Sequence, residues 1–485
     1  MARRAPAFTY EWRWSPRNAT TSPGSSRYSS PEATRIVSPV SPVRYSRQHV
    51  FAALVVCYSR GVKFVHAADL HIDSPLRGLD KYEGAPVARL RAATRRALEN
   101  LVALCIEEQA AFLLLAGDVF DGTWKDFSTG LFFASQMTRL REANIPVVIV
   151  RGNHDAASSI VKSLRLPDNV RELTHKKPET FELRDAGACV HGQSFPQRAT
   201  TDDLAARYPD ALRGVFNVGL LHTCLDGREG HDPYAPTSLE TMRAKGYDYW
   251  ALGHVHAREV LSNEPWVVFP GNIQGRHARE TGAKGASLVT VEGGSVTSVE
   301  HRALDVVRWE QVILDASEAT DVFEVVDRAR DALQKEGEAC SDRLLAARLV
   351  IRGSTRANGA IRNDVEHFVA QLRAAAIDGL GDGVWLEKVV VETRSTFDLA
   401  QVREEAGAVG HLARRLAAIK DDPKELAELV AVFAELEKKL PAELREGEGA
   451  LVLGDPAALR AIVEDVEQTL LPRLLESPGR EGAQG

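Results

Sequence analysis

The chain has 485 residues, of which 44% are hydrophobic and 26% charged, and its formal net charge is −7. This length allows two or three domains with a large core. The mild acidity argues against a broad, non-specific nucleic-acid coat, although it leaves room for a local basic groove. The five cysteines form no Cys-x-x-Cys pair, which argues against a thiolate zinc site or a disulfide framework and favours a cytoplasmic location. The apolar run at residues 50–57 is too short to span a bilayer, so we expect no membrane association.

Residues 1–61 differ in composition from the rest of the chain. They contain nine Arg, no Lys and two Glu, so nine positive charges less two negative charges give a net +7. Together with many Ser and Pro, this composition predicts a disordered leader. An Arg- and Ser-rich leader is also typical of targeting peptides, but the sequence from Val62 reads as the natural start of a domain. We therefore interpret the leader as an upstream extension or a mis-assigned start.

From Lys63 onward, apolar runs alternate with stretches of helical periodicity. The first predicted strands are KFVHAAD, AFLLLAGD and IPVVIVRGNHD, separated by helices over residues 86–108 and about 126–143. Later strands are FNVGLLHT, YDYWALGHVH, PWVVFPGN and a hairpin with a Gly-Gly turn, ASLVTVEGGSVTSVEHRAL. This alternation predicts a largely parallel sheet covered by helices.

After about residue 305 the pattern restarts as a β-α-β-α-β unit. Its predicted strands are VVRWEQVILD, RLLAARLVIRG and VWLEKVVVETR, with helices over 319–334 and 364–376. From Leu399 the chain becomes helical, and Asp455-Pro456 reads as the N-cap and first turn of a last helix. We therefore expect four parts: a leader (1–61), an α/β domain (62–305), a small α/β domain (306–396) and a helical C-terminal region (397–485).

Short polar motifs stand at the predicted carboxyl ends of five strands. They are Asp69-Leu70-His71, Gly117-Asp118, Gly152-Asn153-His154-Asp155, Leu221-His222-Thr223 and Gly253-His254-Val255-His256. Ligands of open α/β sheets bind outside these strand ends, so side chains far apart in sequence can converge there. A single histidine at a strand end is usually a hydrogen-bonded surface residue. The complete ordered set is a much stronger signal than any one motif.

The side chains of these motifs are carboxylates, imidazoles and one amide, which suit Mn²⁺, Fe²⁺ or similar divalent ions. Asp118 can bridge two ions, with Asp69, His71 and His256 completing one site and Asn153, His222 and His254 the other. Two such ions with two aspartates leave a net positive charge that suits an anionic phosphoester. His154 is left over as the candidate general acid, and the neighbouring Asp155 is the candidate catalytic carboxylate that orients it.

A Gly-rich loop with basic residues follows the FPGN strand. It contains Arg276 and Arg279, together with His277 and Lys284. We expect the two arginines to contact substrate phosphates. A solvated loop without a ligand is the alternative interpretation.

The ordered motifs resemble those of the calcineurin-like metallophosphoesterases. The segments KFVHAADLHIDSPLRGL, LLLAGDVFDG, VRGNHD, YDYWALGHVHAREVL and FPGNIQGRHARETGAKG are similar to those of SbcD-type DNA repair exonucleases, particularly the YhaO-like branch. The resemblance covers residues 62–305. It implies an α/β fold, a four-layer sandwich in which helices flank two β-sheets, followed by a small capping domain and a helical tail.

The same resemblance implies a site with two divalent ions, most simply Mn²⁺. One ion would be held by Asp69, His71, Asp118 and His256, and the other by Asp118, Asn153, His222 and His254. His154 matches the family's catalytic histidine. In some relatives a histidine follows the Gly-Asp-x-Phe turn, but here that position is Asp121, and we do not assign it that role.

The activity implied is phosphodiester hydrolysis of DNA by a hydroxide that two metal ions activate, as in a repair exonuclease. The implied partners are DNA and an SbcC-type coiled-coil ATPase held by the helical tail, and a homodimer is a further expectation. The tail can equally pack on its own protein. Two rival functions are a phosphatase or cyclic-nucleotide phosphodiesterase with a small substrate, and a non-catalytic metal-containing scaffold for an ATPase.

Overall fold

A computed structural model defines the architecture of most of the chain. The residues it describes are 61–76, 84–121, 127–157, 164–225, 234–445, 450 and 452–476. The leader predicted to be disordered falls outside these residues, apart from Gly61. Among the described residues, no helix is long and apolar enough to cross a membrane.

Two six-stranded sheets make up the part of the chain that carries the polar motifs. Their strands are β1 (Val62–Ala67), β2 (Leu113–Ala116), β3 (Val147–Val150), β4 (Val170–Glu172), β5 (Glu179–Leu183), β6 (Ala188–Gly192), β7 (Phe216–His222), β8 (Tyr249–Gly253), β9 (Glu259–Asn263), β10 (Trp266–Phe269), β11 (Gly285–Glu292) and β12 (Ser295–Ala303). The helices of this part are α1 (Val87–Glu107), α2 (Phe127–Glu142), α3 (Asn153–Ala157) and α4 (Leu239–Ala244).

Each sheet has a parallel centre. The first sheet has the order β12-β11-β1-β2-β3-β4, in which β1 to β4 run parallel and the hairpin β11–β12 adds antiparallel strands. The second has the order β5-β6-β7-β8-β10-β9, with antiparallel strands only at its two edges. Parallel strands of one sheet end at the same edge, which is how the motifs come together.

Alternating side chains of β1 show how the layers form. Val65 points to the outer face of the first sheet, where it joins the core made by α1 and α2. Phe64 points the other way, into the core between the two sheets, where its ring stacks on Phe112 at 4.7 Å and meets Tyr249 edge-on at 5.3 Å. The outer face of the second sheet is covered in turn by a core that includes Tyr208 and Met242 of α4. These layers confirm the predicted sandwich of two sheets flanked by helices.

Three short strands are absent from the sequence-based prediction. They are β4, β5 and β9. Along these strands most side chains are only partly buried or exposed, so an apolar signal is weak.

The β-α-β-α-β unit forms a three-stranded parallel sheet, as the alternation after residue 305 predicts. Its elements are β13 (Val307–Asp315), α5 (Val322–Ala339), β14 (Leu344–Ser354), α6 (Asn358–Asn363), α7 (Val365–Leu380) and β15 (Val384–Arg394), in the sheet order β13-β14-β15. One face of the sheet packs on α5 and α7. The opposite face contacts the start of α1, where Trp309 and Trp385 pack with Leu90 and Ala93.

The C-terminal region is helical, as the sequence predicts. Its helices are α8 (Leu399–Glu404), α9 (Ala408–Asp421), α10 (Pro423–Lys439), α11 (Ala442–Arg445) and α12 (Pro456–Glu476). At the start of α12 the Asp455 carboxylate accepts a hydrogen bond from the Ala457 amide at 3.1 Å, which is the predicted N-cap. The buried Glu467 of α12 binds both Arg403 at 2.7 Å and Lys420 at 2.9 Å. The tail therefore packs on its own protein, and the Asn358 side chain of α6 donates to the Gln468 carbonyl of α12 at 3.3 Å, which links the tail to the β-α-β-α-β unit.

Candidate metal centre

The polar motifs meet at one end of the sandwich, across both sheets. Asp69 and His71 follow β1, Asp118 follows β2, and Asn153 and His154 begin α3 after β3. From the second sheet, His222 ends β7, and His254 and His256 follow β8. The backbone of His254 binds the Asp69 carboxylate, with nitrogen to oxygen distances of 2.9 and 3.2 Å. This bond joins the two sheets at the centre of the site.

An unusual backbone conformation aims these side chains. Asp69, His71, Asp118 and His254 have φ angles of 52°, 42°, 53° and 103°, in the left-handed region that costs about 1–2 kcal/mol for each non-glycine residue. In a regular strand, residues two apart lie on the same face but about 6.6 Å apart along the strand. The turns after β1 instead bring Asp69 and His71 into one cluster, which explains why the two ligand types stand two positions apart.

Glycine is required beside the site because the chains approach closely. A Cβ atom at Gly152 would overlap the Asp118 carboxylate, and one at Gly253 would overlap the carbonyl group of Ala116. A Cβ at Gly117 would collide with the His222 ring. Any larger residue would push the candidate ligands apart.

A first cluster contains His71, His256 and Asp69, whose ligand atoms lie within 4.8 Å of one another. The Nε2 atoms of the two histidines face each other at 3.3 Å, with an Asp69 oxygen 3.9 Å from that of His256. His256 directs Nδ1 at a Glu280 oxygen at 2.7 Å, and His71 directs Nδ1 at Asp121 at 3.5 Å. The Glu280 carboxylate favours the ring proton of His256 on Nδ1, which leaves its Nε2 with a lone pair directed at the space shared with His71 and Asp69.

A second cluster surrounds His222, which is completely buried. Its Nδ1 donates to the Ala116 carbonyl at 2.9 Å, while its Nε2 lies 2.9 Å from the Asn153 oxygen and 3.5 Å from Asp118 Oδ2. Burial lowers the pKa of His222 to about 3, so the ring is neutral and Nε2 carries no proton. The His254 ring lies beside this cluster, with its centroid 5.1 Å from that of His222.

In both clusters, imidazole nitrogens and carboxylate or amide oxygens, which all accept hydrogen bonds, thus face one another. Burial, reinforced by the charge of Asp118, raises the pKa of Asp69 well above its usual value, which shows how unfavourable two adjacent buried carboxylates are without a cation. Nitrogen and oxygen lone pairs converging on a common space are the donor set of divalent metal ions. The residues present therefore fit the metal centre that the sequence predicts.

His154 lies at the rim of the clusters, one-third exposed. Its Nδ1 contacts an Asp121 oxygen at 2.7 Å, and the other Asp121 oxygen accepts the Ser74 hydroxyl at 2.6 Å. The hydrogen bond to Asp121 raises the pKa of His154. Burial raises the pKa of Asp121, but the bonds from His154 and His71 outweigh it and hold that pKa below its usual range.

Comparison with known proteins places this geometry in a family. A model of the calcineurin-like phosphoesterases matches residues 62–258, and one described as the metallophosphoesterase YhaO middle domain matches residues 309–394. The YhaO metallophosphoesterase of Bacillus subtilis is 38% identical over 298 residues, which span 60% of this chain and 72% of that protein. The chain belongs to the YhaO-type calcineurin-like metallophosphoesterases. The resemblance drawn from the motifs is thereby confirmed, and with it the hydrolase class and the need for divalent metals.

More distant relatives of this metallophosphoesterase carry the name DNA double-strand break repair protein Mre11. The protein from Methanopyrus kandleri is 24% identical over 335 residues, covering 60% of this chain and 70% of its own. The one from Saccharolobus solfataricus is 25% identical over 172 residues, covering 34% of this chain and 44% of its own.

Asp155 contacts backbone rather than the His154 ring in this metallophosphoesterase. Its carboxylate accepts hydrogen bonds from the amides of Phe120 at 2.9 Å and of Val119 and Gly152 at 3.2 Å each. It therefore ties the turn after β2 to the turn after β3. The carboxylate in the orienting position predicted for Asp155 is Asp121, three residues after Asp118. The spacing Gly-Asp-x-x-Asp at a strand end was the available signal.

The two arginines of the Gly-rich loop lie in different surroundings. The Arg276 guanidinium is mostly buried, with one nitrogen 3.2 Å from His256 Nδ1 and 3.2 Å from Glu280. Arg279 is exposed at the surface of the same loop. Glu280, which the motifs do not single out, is buried beside the first cluster.

Proposed function

We propose that the protein is a Mn²⁺-dependent phosphodiesterase that digests DNA as an exonuclease in double-strand break repair. The observation that carries this proposal is the pair of acceptor-only clusters that converge beside the His154–Asp121 pair. A metal centre next to a histidine with a positioned partner is the arrangement that phosphoester hydrolysis requires.

Seven side chains would hold the metal ions. One ion would be held by Asp69, His71, Asp118 and His256, and the other by Asp118, Asn153, His222 and His254. When bound, two such ions neutralise the phosphoester and lower the pKa of water to make a nucleophile near neutral pH. Because Asn153 is uncharged, it adds a ligand without reducing the positive charge offered to the substrate.

His154 would donate a proton to the departing oxygen of the substrate. As the attacking water oxygen bonds to phosphorus, the bond to the departing oxygen breaks, and that oxygen takes the proton of His154 Nε2. The bond of Nδ1 to Asp121 leaves Nε2 facing outward and favours the protonated ring. We therefore assign His154 the acid and Asp121 the orientation of its ring.

DNA is the proposed substrate because of the relatives named Mre11, which are described as DNA double-strand break repair proteins. Arg276 beside His256 supplies a cation for a substrate phosphate. An SbcC-type ATPase and a second copy of the chain are proposed partners. Exposed apolar residues of the tail, among them Val432 and Leu436 of α10 and Val466 and Leu470 of α12, are available to them.

The test is hydrolysis by the purified full chain, stripped with EDTA and reloaded with Mn²⁺. End-labelled duplex DNA and bis-p-nitrophenyl phosphate are incubated in parallel with the wild type and His154→Ala. We expect the wild type to digest DNA and His154→Ala to lose about a hundredfold or more in the rate of DNA digestion, with a smaller loss on bis-p-nitrophenyl phosphate, whose departing oxygen needs no proton. The control is His367→Ala, which changes an exposed histidine of α7 far from the site.

Each other outcome points to a rival function. Hydrolysis of the small ester with intact DNA would contradict the nuclease proposal and favour a small-substrate phosphoesterase. Two bound ions without hydrolysis of either substrate would favour a scaffold. Equal digestion by His154→Ala would refute its role as the acid. Reloading with Fe²⁺ or Zn²⁺ in place of Mn²⁺ tests the choice of metal.

A further inference from the structure

Glu280 is a buried carboxylate beside the metal centre, in the loop between β10 and β11. Its side chain is only 7% exposed. One oxygen, Oε1, contacts His256 Nδ1 at 2.7 Å and the Arg276 guanidinium at 3.2 Å. The other, Oε2, accepts hydrogen bonds from the Arg276 amide at 2.8 Å and the Asn272 side chain at 2.9 Å. Both oxygens are thus fully used by donors.

A charge buried in this way is unfavourable unless several partners hold it. Here the partners come from the loop itself, whereas the His256 ring comes from the turn after β8. The contact with His256 is the shortest of the four. It lies on the side of the ring opposite to Nε2, the atom that faces His71 and Asp69.

We propose that Glu280 is a positioning residue that sets the orientation and tautomer of His256 for metal binding. It holds the ring proton on Nδ1, so Nε2 is directed at the space shared with Asp69 and His71. A carboxylate behind a histidine ligand also makes the ring a stronger donor to the metal. This inference rests on the proposed two-metal centre and adds a residue to it that no motif assigns.

The loop that carries Glu280 is fastened on both sides, so the carboxylate has little freedom to move. On the side of the metal centre, Lys284 donates to the His256 carbonyl at 3.2 Å. On the side of the small sheet, the Trp309 indole donates to the Gly275 carbonyl at 3.0 Å, and Gln274 donates to the Val307 carbonyl at 2.7 Å. A rigid frame of this kind is what a positioning residue needs.

An alternative role for Glu280 is to neutralise Arg276 alone, without any effect on His256. The two roles differ in what a neutral substitution changes. Loss of positioning changes the geometry of one metal site, whereas loss of neutralisation leaves the Arg276 charge, 3.2 Å from His256 Nδ1, to repel the ions without changing that geometry. Metal affinity measured without substrate, together with a spectrum that reports the geometry of the site, therefore separates them.

The experiment is calorimetric titration of Mn²⁺ into the metal-free full chain, for the wild type, Glu280→Gln and Glu280→Asp. We expect two ions per wild-type chain. In Glu280→Gln one of the two sites should weaken by about 10–100-fold, as for other carboxylates behind histidine ligands, while the second keeps its affinity. Glu280→Asp keeps the charge and should restore part of the loss. Glu300→Gln, an exposed carboxylate on β12, is the matched control and should bind like the wild type.

Co²⁺ loading supplies a second measurement that does not depend on activity. We expect the visible absorption spectrum of Glu280→Gln to change, because His256 changes its position relative to the ion, and that of Glu300→Gln to match the wild type. Two intact sites in Glu280→Gln, or equal weakening of both, would overturn the positioning role. A wild-type chain that binds no Mn²⁺ would instead refute the proposed metal centre itself.

Discussion

At the scale of single residues, Ser74 extends the pair of His154 and Asp121. Ser74→Ala removes the hydroxyl that donates to Asp121 at 2.6 Å, which should cost about tenfold in rate because a hydrogen bond to a charged group is lost. The loss should appear with phenyl esters of thymidine 5′-phosphate and shrink with p-nitrophenyl esters, whose departing oxygen needs no proton. Steady-state rates for both esters test this.

Ser74→Thr retains the hydroxyl and is the control for that experiment. It should keep most of the wild-type rate with either ester. An equal loss in Ser74→Ala with both esters would show that Ser74 supports the general shape of the site and has no part in proton transfer.

His66 is a buried histidine outside the candidate centre. Its burial predicts that the unfolding free energy of the protein falls at acid pH. Its ring lies between the Tyr249 hydroxyl at 3.0 Å and the Leu252 carbonyl at 3.1 Å. Burial lowers the pKa of His66 from 6.5 to about 3. Since the unfolded chain takes up this proton first as the pH falls, stability is lost below about pH 6.5, with about 2 kcal/mol gone by pH 5.

His66→Gln should abolish the uptake of this proton when the chain unfolds. Urea unfolding of the metal-free variant at pH 7 and pH 5 should show a smaller fall in unfolding free energy than in the wild type, by about 2 kcal/mol. Some pH dependence should persist because burial also lowers the pKa values of His71 and His222. The exposed His367→Gln should behave like the wild type. An unchanged fall in His66→Gln would contradict the prediction.

At the scale of elements, the sequence predicts strands best where both faces are buried. β2 and β3 read as short continuous apolar runs because every side chain in them is buried. The strands at the edges of the sheets give no such run, and β5 and β9 were not predicted. Helix α1 was predicted within one residue at each end because its apolar face repeats at helical spacing.

The candidate site was predictable to the extent that its residues stand in motifs at strand ends. Asp121 and Glu280 are different, because their partners lie elsewhere in the chain. Asp121 meets His154 from the turn after β2, and Glu280 meets His256 across 24 positions. Asp121 stands in the Gly-Asp-x-x-Asp spacing after β2, but which side chain it meets, like the pairing of Glu280 with His256, depends on how the loops fold over the site. The same holds for the left-handed backbone at Asp69 and Asp118.

At the scale of the whole molecule, the small sheet packs directly against the sandwich. The indole rings of Trp309 and Trp385 on this sheet have centroids 5.8 Å apart, and they pack against Leu90 and Ala93 of α1. The sequence predicts the small unit from its alternation of strands and helices, but it does not show which face meets α1. That contact matters for function because Trp309 also holds the loop that carries Glu280.

Trp309 therefore supports both folding and the metal centre, and two substitutions can separate these effects. Trp309→Ala leaves a cavity where the side chain is 3% exposed and should lower the unfolding free energy by about 3–5 kcal/mol. Trp309→Phe keeps much of the packing but loses the bond to Gly275, which should cost about 1 kcal/mol. Phe323→Ala, at a side chain 72% exposed on α5, should change stability by no more than about 0.5 kcal/mol.

Urea unfolding and Mn²⁺ titration of these variants test the link between the small sheet and the site. Because Glu280 is the carboxylate of this loop that contacts the His256 ring, Trp309→Phe should weaken one of the two metal sites, by less than Glu280→Gln does. Phe323→Ala should leave both sites unchanged. Trp309→Phe with wild-type affinity at both sites would show that the loop keeps its position without the small sheet, and the contact with α1 would then serve stability alone.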